Sequence, residues 1–456
     1  MVKNVRNKGI TLIALIVTIV VLLILAGVTI SQITGSENAM EKATEAREKN
    51  KQGAELDAIN IAVIGAISEG NYNLDVDLGA LKTGLADLVT ETNLDELITG
   101  EGPWTVTGKT GAEYHITNDG NVTVFEVLKV ESFADLKNKT DWSTTNNTKV
   151  IKGEGITQQQ IVIPAGFEIA SDSGTTLETG IVIKNATDGN EFVWVPVNQT
   201  VAFADSTTGS ITLGRYTFGT KDSPSISEPD TVGKTEIDSY YTESAETFTV
   251  GSKTYQPSVA RNIEAFKTTT NANKGYYIGR YEMGIEGATV NTETKQWSEN
   301  SQGSRKVVCK KSTTSEPVQV YNYITRDEAL SEAQGLYGEV RGKYTSDLVN
   351  SYAWDTALVY IIKCGGVSNY AWQNGQNDGG PFAPGEEGDE QCKINDMAKN
   401  IREWTTEYSR YSSGNYHCVF RGGTYKSEER CTASRGSNTT SGGGDNSGFR
   451  PILYIM

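Results

Sequence analysis

Residues able to perform metal, redox or nucleophilic chemistry are few in this sequence and lie far apart. The chain has five cysteines and two histidines, and no two cysteines form a C-x-x-C pair. They are Cys309, Cys364, Cys392, Cys418 and Cys431, with His115 and His417. Zinc sites and histidine-based catalysis need such groups close together. The pattern argues against a zinc enzyme, a His triad and a dense disulfide framework. His115 lies within a strand pattern, which predicts a structural or surface histidine and not a ligand.

The overall charge of the chain excludes one large class of partner. The 456 residues include 41 basic and 57 acidic side chains, which gives a net charge of −16. Proteins that bind nucleic acid neutralise phosphates with basic side chains, so we expect no nucleic-acid partner. Hydrophobic residues make up 37% of the chain and charged residues 21%, a balance typical of folded globular proteins. The length suits two or three domains.

The amino terminus combines a basic start with a long apolar run. Lys3, Arg6 and Lys8 precede Gly9, and the next charged residue after Lys8 is Glu37. About 20 apolar residues suffice for a helix to cross a bilayer, and flanking basic residues favour the cytoplasmic side. We therefore expect a transmembrane helix in residues 10–35, localisation to the cell membrane or a pilus, and an extracellular location for the bulk of the chain.

The segment KGITLIALIVTIVVLL resembles the amino terminus of type IV prepilins. The resemblance implies a leader, residues 1–9, that a dedicated peptidase removes between Gly9 and Ile10. Most such pilins have a glutamate where this chain has Ala14. The resemblance therefore favours a minor or tip subunit, or a pilin-like anchor, over a filament-building pilin. The membrane and other pilins are the partners implied, and an ordinary signal anchor is the alternative.

Residues 36–128 are expected to form a pilin-like stem and a small β head. An apolar stripe from Leu56 to Ile67 recurs near the helical period, which predicts an amphipathic helix that continues from the membrane. The stretch PWTVTGKTGAEYHITNDGNVTVFEV alternates β-forming residues between glycine and Asn-Asp-Gly turns, which predicts a small antiparallel sheet. The Thr- and Asn-rich residues 129–160 are typical of an exposed linker.

Four segments of residues 161–456 occur in an order that one known family shares. They are EFVWVPV, GYYIGRYEMG, NDMAKNIREWT, and RGGTYKSEERCTASR leading to GFRPIL. Together they resemble the formylglycine-generating-enzyme, or sulfatase-modifying-factor, family, which implies a C-type-lectin-like α/β domain. The predicted fold class is therefore α+β: an N-terminal transmembrane, pilin-like long helix with a small antiparallel sheet, then a C-type-lectin-like domain of the formylglycine-generating-enzyme type.

Two helices and several large side chains of this domain are predicted to be structural. Thr325 and Glu328 form a capping-box pattern, and residues 350–362 are predicted to form a second helix. The tryptophans Trp194, Trp354 and Trp404 are predicted to pack in the core. The arginines of TASR and GFRP, which are Arg435 and Arg450, are predicted to pair with carboxylates beneath the surface.

The resemblance does not carry the family's catalytic residues over to this chain. Members that oxidise cysteine to formylglycine hold copper with a C-x4-C cysteine pair, because soft Cu(I) prefers thiolates. The matching stretch, Thr424 to Thr432, contains only Cys431. Non-haem iron enzymes of the same fold need several histidines, and this domain has His417 alone. We predict no catalytic residue, no copper and no enzymatic activity; an oxidase of the formylglycine-generating type, or another enzyme of this fold, is the alternative.

The family also holds a calcium ion around the motif that spans residues 396–404 here. Carried over position by position, the resemblance implies two carboxylates and two backbone carbonyls, an all-oxygen set that suits a hard cation. The implied ligands are Asp396, Lys399, Ile401 and Glu403. Lys399 stands where the family usually has glycine. Structural calcium is the expected cofactor, and the alternative is a capping Asp396 with an exposed or arginine-paired Glu403.

Residues 408–447 have the composition of a binding surface. Tyr, Ser, Gly, Thr and Asn dominate this stretch; tyrosine offers a large contact area at low entropy cost, and small polar residues adapt their hydrogen bonds. The predicted ligand contacts are Tyr408, Arg410, Tyr411, Asn415, Tyr416, His417, Phe420, Tyr425, Lys426, Arg430 and Asn438. The composition and the GFRP ending are similar to the variable proteins of diversity-generating retroelements, which implies a diversified segment. A solvated loop is the alternative.

These expectations combine into one predicted function, a surface-displayed protein of the adhesin or receptor type. A pilin-like anchor would present a non-catalytic lectin-like domain to an extracellular protein or glycan. A structural minor pilin is the further alternative.

Overall fold

The computed structural model describes most of the chain after residue 38. The described residues are 39–69, 76–100, 102–117, 120–230, 241–250, 253–255, 257–298, 305–340, 343–375, 379–386, 388–410, 416–426, 430–439 and 443–456. The predicted cleavage site at Gly9 and Ile10 and the apolar run in residues 10–35 lie outside them.

The helices of the described part are few and mostly short. They are α1 (Ala39–Glu69), α2 (Leu78–Leu85), α3 (Leu94–Leu97), α4 (Ile263–Asn273), α5 (Arg326–Gly335) and α6 (Ser351–Cys364). Short 3-10 helices cover Phe133–Asn138, Gly155–Thr157 and Tyr370–Trp372. The capping box is confirmed, because the Thr325 hydroxyl and the Glu328 carboxylate both accept backbone N–H groups at the start of α5. The second predicted helix is confirmed as α6, which Asn350 caps.

Strands account for most of the regular structure. Along the chain they are β1 (Trp104–Thr107), β2 (Glu113–Ile116), β3 (Val122–Val130), β4 (Asn147–Lys152), β5 (Gln159–Ile163), β6 (Phe167–Ile169), β7 (Val182–Asn185), β8 (Glu191–Pro196), β9 (Val201–Ala202), β10 (Thr208–Gly209), β11 (Gly219–Thr220), β12 (Ser223–Pro224), β13 (Tyr241–Thr242), β14 (Phe248–Val250), β15 (Lys253–Tyr255), β16 (Gly275–Gly279), β17 (Gly284–Glu286), β18 (Thr289–Val290), β19 (Trp297–Ser298), β20 (Val307–Val308), β21 (Val318–Val320), β22 (Glu339–Val340), β23 (Tyr344–Leu348), β24 (Glu390–Gln391), β25 (Ile394–Asn395), β26 (Arg402–Arg410), β27 (Tyr416–Arg421), β28 (Arg435–Asn438), β29 (Ser447–Phe449) and β30 (Pro451–Ile455).

The first sheet joins β1 to β5 in sequence order. Its first three strands pair antiparallel within the stretch expected to form a small antiparallel sheet, but β4 lies parallel to β3, so the sheet is larger and mixed. The His115 ring lies 4.4 Å from the Phe125 ring and 2.7 Å from the Glu113 carboxylate, which confirms its structural role.

Helix α1 packs against this sheet with only part of its apolar stripe. Ile59 and Val63 are fully buried, whereas Ile61 is 70% and Ile64 63% exposed. The stripe is therefore narrower than the sequence analysis expects, because positions two residues apart point in different directions from a helix.

Residues 129–160 are mostly exposed or half-buried, but part of the stretch packs in the main core. They contain the 3-10 helix Phe133–Asn138 and strand β4, and Phe133, Leu136 and Val150 are buried in the same apolar cluster as Trp194. The hydrophobic side chains of this stretch draw it into the main core, so the first sheet continues directly into the larger domain.

The main core lies on a seven-stranded antiparallel sheet in the order β22-β23-β30-β16-β8-β7-β6. Trp194 on β8 and Trp354 on α6 are fully buried in its apolar cluster, and Trp404 is fully buried in a neighbouring one. The predicted packing role of the three tryptophans is confirmed. Beside this core lies a smaller sheet, the site sheet, in which β13, β26, β27 and β28 pair antiparallel and β29 joins β26 in parallel.

The predicted α+β fold class with a transmembrane, pilin-like long helix is wrong. The described part is mostly β, with many small sheets and few helices. None of its helices is long and apolar enough to cross a membrane. The longest of them, α1, carries charged side chains on nearly every turn of its first half. A membrane anchor through an N-terminal helix, and the pilin-like description that depends on it, are not supported.

Candidate ligand-binding face

Strands β26 and β27 place the predicted binding residues, and their register divides the site sheet into two faces. Glu403 lies opposite Arg421, and Arg421 lies opposite Arg435. Trp404 lies opposite Phe420, on the other side of the sheet. We call these the charged face and the aromatic face. An irregularity between Trp404 and Tyr408 shifts the register within β26.

The charged face packs on α6 through buried ion pairs. Asp355 on α6 accepts hydrogen bonds from both Arg421 and Arg435, and its Oδ2 also accepts the Tyr216 N–H at 3.0 Å. Burial acts to raise the pKa of Asp355, but the two guanidinium groups outweigh it and hold that pKa below its usual value. The prediction that Arg435 pairs with a buried carboxylate is confirmed.

A second set of ion pairs continues this network. Glu407 is fully buried, and its Oε1 lies 2.5 Å from Arg215 Nη2. Its Oε2 lies 3.4 Å from Arg435 Nε. Two carboxylates and three arginines therefore join β26, β27 and β28 to α6 and to the segment around residue 215. Such a network fixes the geometry of the strands, because each buried charge needs its partner in place.

Glu403 and Arg450 form a separate buried ion pair at the start of β26. Arg450 Nε lies 3.1 Å and 3.0 Å from the two carboxylate oxygens, and Nη2 lies 2.7 Å from Oε1. Arg450 also donates to the carbonyls of Gly279 and Asn395. The predicted pairing of Arg450 with a buried carboxylate is confirmed.

Near this pair lies Glu282, a fully buried carboxyl group with no cation in contact among the described residues. It accepts a hydrogen bond from Asn400 Nδ2 at 2.6 Å and from the Ile401 N–H at 3.2 Å. Burial raises the pKa of Glu282 well above its usual value, and the nearby carboxylates of Asp396 and Glu403 raise it further. The protein therefore favours the protonated form of Glu282.

The implied calcium ligands are largely engaged with protein groups. Both oxygens of Glu403 accept from Arg450, while Asp396 Oδ2 accepts the Gly385 N–H at 2.7 Å. Asp396 Oδ1 is buried and has no hydrogen-bond partner among the described residues. Lys399 is half-buried, and the Ile401 side chain packs with Val320 and Tyr425. In the described part of the chain, no group of three or more His, Cys, Asp or Glu residues could hold a metal ion. Calcium stays a prediction.

Two buried carboxyl groups near the site sheet predict how stability depends on pH. Glu243 accepts hydrogen bonds from Thr406, Ser258 and the Ser351 N–H, and burial raises its pKa to about 7, with a further contribution from Glu407. Burial likewise raises the pKa of Asp396 to about 7. Between their unfolded values near 4 and these folded values, the folded protein binds more protons than the unfolded chain, so stability falls as pH rises.

We therefore expect the free energy of unfolding to be about 5 kcal/mol smaller at pH 8 than at pH 5, measured by urea denaturation at several pH values. Glu243→Gln should flatten this slope because it removes one titrating group. Glu264→Gln, at an exposed position on α4, should leave the slope unchanged. A stability that rises from pH 5 to pH 8 would contradict the assignment.

The aromatic face is mostly covered by other side chains. Three of the predicted ligand contacts are therefore buried or half-buried. Phe420 is 3% exposed and packs on Trp404 with ring centroids 5.2 Å apart. Tyr425 is 8% exposed. Tyr408 is half-buried, with its hydroxyl 2.7 Å from Arg326 Nη2 and its ring 4.7 Å below that guanidinium. These three side chains support the surface and offer little contact area to a ligand in this conformation.

The polar members of the predicted set lie at the surface. The Lys426 side chain is 47% exposed and forms an ion pair with Asp445, whose Oδ2 also accepts the Tyr425 hydroxyl at 2.8 Å. Arg430 and Asn438 are half-buried. Arg402 lies beside them, stacked on Phe420. We call five polar residues the rim: the exposed Lys426 and the half-buried Arg402, Arg430, Asn438 and Asp445.

The remaining predicted contacts are only partly described. Arg410, Tyr416 and His417 lie on β26 and β27, where Tyr416 pairs with Arg410 and His417 with Ser409, but their side chains lie outside the described part. Tyr411 and Asn415 lie outside the described residues. Of the polar members of the set, Lys426 is therefore exposed and Arg430 and Asn438 are half-buried, while five members have side chains outside the described part.

Two rim residues escaped the sequence analysis. Arg402 stands two positions before Trp404, so strand alternation alone would have placed it on the same face of β26. No comparable signal exists for Asp445, which reaches Tyr425 and Lys426 from a loop 20 residues away in sequence from Tyr425.

The cysteines follow no copper-binding arrangement at the matched position. Cys431 Sγ lies 3.2 Å from Ser434 Oγ, and all five cysteines are free thiols. Cys309 and Cys418 are buried. Burial raises the pKa of Cys309 to about 12 and that of Cys418 to about 11, so both thiols resist ionisation at neutral pH.

Comparisons with known proteins do not identify a family. No family model matches the chain, and no curated protein matches it. Among solved structures, a crystal structure of CarF is similar at 14% sequence identity, over 40% of this chain and 87% of that chain, with a TM-score of 0.27. Similarity this weak carries no argument about fold or function. The resemblances drawn from sequence motifs therefore stay predictions.

Proposed function

We propose that this protein is a non-catalytic ligand-binding protein whose binding surface is the rim of the site sheet. The proposal rests on the contrast between a charged face locked by buried ion pairs and a rim of polar side chains that are at least partly exposed. Glu403, Glu407 and Arg421 are fully buried, whereas the Lys426 side chain is 47% exposed. A rigid scaffold that carries adaptable polar side chains is the arrangement that binding loops use.

The composition of residues 408–447 supports the same proposal. Tyr, Ser, Gly and Asn tolerate exchange at a surface without loss of the supporting core. We propose that the segment is diversified and that its ligand is an extracellular protein or glycan. A neighbouring reverse-transcriptase gene, with a near-copy of the segment's coding sequence that differs only opposite adenines, would support the diversification. Its absence from the surrounding DNA would contradict it.

Binding of the purified full chain to immobilised oligosaccharides and purified secreted proteins tests the main proposal. For any immobilised oligosaccharide or protein that the unmodified chain binds, the variants Lys426→Ser and Asn438→Ser should lower the affinity about tenfold or more, because they alter the rim. The variant Lys267→Ser, on α4, is the matched control and should bind like the unmodified chain. If Lys426→Ser and Asn438→Ser bind the immobilised ligand as well as Lys267→Ser and the unmodified chain do, the rim is not the binding surface.

Enzyme assays separate this proposal from an oxidase. The full chain is incubated with copper and a cysteine-containing peptide, and aldehyde formation is followed by mass spectrometry. We expect no aldehyde, because Cys431 has a serine hydroxyl and no second thiol in contact among the described residues. Aldehyde above the level given by Cys431→Ser would overturn the non-catalytic assignment.

A further inference from the structure

Arg402 is held in place on the rim by contacts that leave most of its hydrogen-bonding capacity unused. Its Cζ lies 3.8 Å from the centroid of the Phe420 ring, and its Nε donates to Ser447 Oγ at 2.9 Å. Stacking on an aromatic ring and one hydrogen bond fix the plane of the guanidinium group. The two terminal nitrogens have no hydrogen-bond partner among the described residues.

Arg430 approaches the same spot from the following loop. A β-carbon at Gly436 would lie 2.3 Å from Phe420 Cε2 and 3.0 Å from Arg430 Nη1. The absence of a side chain at Gly436 therefore allows the ring and the second guanidinium group to meet. Two neighbouring guanidinium groups repel each other. The pKa of Arg402 is lowered to about 10, mainly by partial burial and secondly by the charge of Arg430.

Neither arginine has a carboxylate partner within the described ranges, and this sets them apart. Each of the five buried arginines forms an ion pair with a carboxylate. They are Arg215, Arg280, Arg326, Arg421 and Arg450. Among the described residues, Asp445 is the carboxylate that acts electrostatically on Arg402, and it is engaged by Tyr425 and Lys426. The rim thus concentrates positive charge in a protein whose net charge is −16.

We propose that Arg402 and Arg430 form a subsite for a carboxylate group on the ligand. Guanidinium groups bind carboxylates through paired hydrogen bonds, and a bound anion would relieve the repulsion between the two arginines. Three cations and one carboxylate leave a local surplus of positive charge, which a bound carboxylate would reduce. This inference rests on the proposed function and names its ligand chemistry: an acidic sugar or an acidic amino acid supplies the same group.

Titration of the full chain with small carboxylates tests the subsite. D-glucuronate represents acidic sugars, N-acetyl-L-glutamate represents acidic amino acids, and D-glucose is the neutral control. We expect at least one carboxylate to bind, glucose not to bind, and affinity to fall about tenfold or more in Arg402→Gln and in Arg430→Gln. Arg402→Lys should recover only part of the affinity, since lysine keeps the charge but lacks the fork. Arg261→Gln, a surface arginine elsewhere, should change nothing.

Each outcome decides the proposal. Binding of glucuronate alone or of the glutamate derivative alone supports it and identifies the source of the carboxylate. No binding, or binding that both glutamine variants retain, overturns it. If binding appears only after Glu428→Gln and Glu429→Gln, carboxylates of the chain itself occupy the arginines and the proposal also fails. Arg430→Gln supplies the readout should Arg402→Gln unfold.

The outcome is distinguishable from failure of the proposed function. If an immobilised ligand is lost with Lys426→Ser and Asn438→Ser but is not displaced by glucuronate or the glutamate derivative, the rim binds ligands and the carboxylate subsite is wrong. If no immobilised ligand depends on the rim, the proposed function itself fails.

Discussion

Replacing Arg450 with methionine should lower the free energy of unfolding by about 3–5 kcal/mol, because it leaves a buried carboxylate without its cation. Glu403 is fully buried and has Arg450 as its ion-pair partner, and the buried Glu282 lies in the same region. The substitution also removes donors to the carbonyls of Gly279 and Asn395. Urea denaturation at pH 7 measures the loss.

The pH dependence of the same variant separates charge from packing. Without Arg450, the carboxyl groups of Glu403 and Glu282 should bind protons more readily, so the variant should lose less stability at pH 5 than at pH 8. A second variant, Arg450→Met with Glu403→Gln, should recover part of the loss because it removes the unpaired charge. Equal losses at both pH values would mean that methionine fails for steric reasons.

A partly exposed ion pair provides the matched control. Lys267 lies 3.2 Å from Glu264 on the surface of α4. Lys267→Met should change stability by less than about 1 kcal/mol, since exposed pairs contribute little. A loss as large as that of Arg450→Met would show that removal of any lysine or arginine destabilises the protein, and the argument from burial would fail.

Features written in local sequence were predictable in this protein. The capping box at Thr325 needs only two residues three positions apart, and burial of Trp194 follows from the apolar pattern of its strand. The pairing of Arg435 and Arg450 with carboxylates follows from the cost of burying an arginine alone. Each of these predictions needs a residue and its near neighbours, and none needs the partner to be identified.

The partners themselves could not be predicted. Asp355 is one residue in the middle of an apolar helix, and it pairs with arginines 66 and 80 residues later. Likewise, Arg326 covers Tyr408 from 82 positions away. Such contacts depend on how the sheets stack, and no periodicity in the sequence encodes that.

The prediction of a binding surface in residues 408–447 rests on composition, which does not give the direction of each side chain. Phe420 and Tyr425 were predicted as ligand contacts because aromatic residues favour binding sites, yet both are buried. Phe420 shares the buried face of Trp404 because the two residues lie opposite each other on neighbouring strands, and this register is not readable from the sequence. The irregularity in β26 also disturbs the alternation between Trp404 and Tyr408. The fold class was also misjudged, since many strands of two residues show no period to read.

The Asp355 carboxylate should be as important to the site sheet as Arg450 is to the core beside it. Asp355→Ala leaves Arg421 without its carboxylate and Arg435 with Glu407 alone, both deep in the protein. We expect the free energy of unfolding to fall by about 3–5 kcal/mol. Asp355→Asn should lose less, because the amide oxygen still accepts a hydrogen bond. Asp327→Ala, which removes an exposed carboxylate beside Arg326, should cost less than about 1 kcal/mol.

The loss should also reach the rim, because Asp355 fixes β27 and β28 from below. Trypsin cleaves after arginine, and Arg421 and Arg435 are protected in the folded sheet by pairing and burial. Brief digestion under native conditions, with the fragments identified by mass spectrometry, should therefore cut Asp355→Ala at these two arginines sooner than the unmodified chain or Asp327→Ala. Ligand retention should fall in parallel. If cleavage at Arg421 and Arg435 is unchanged while global stability falls, the ion pairs support the core but do not hold the binding surface, and the link between the buried network and the rim is broken.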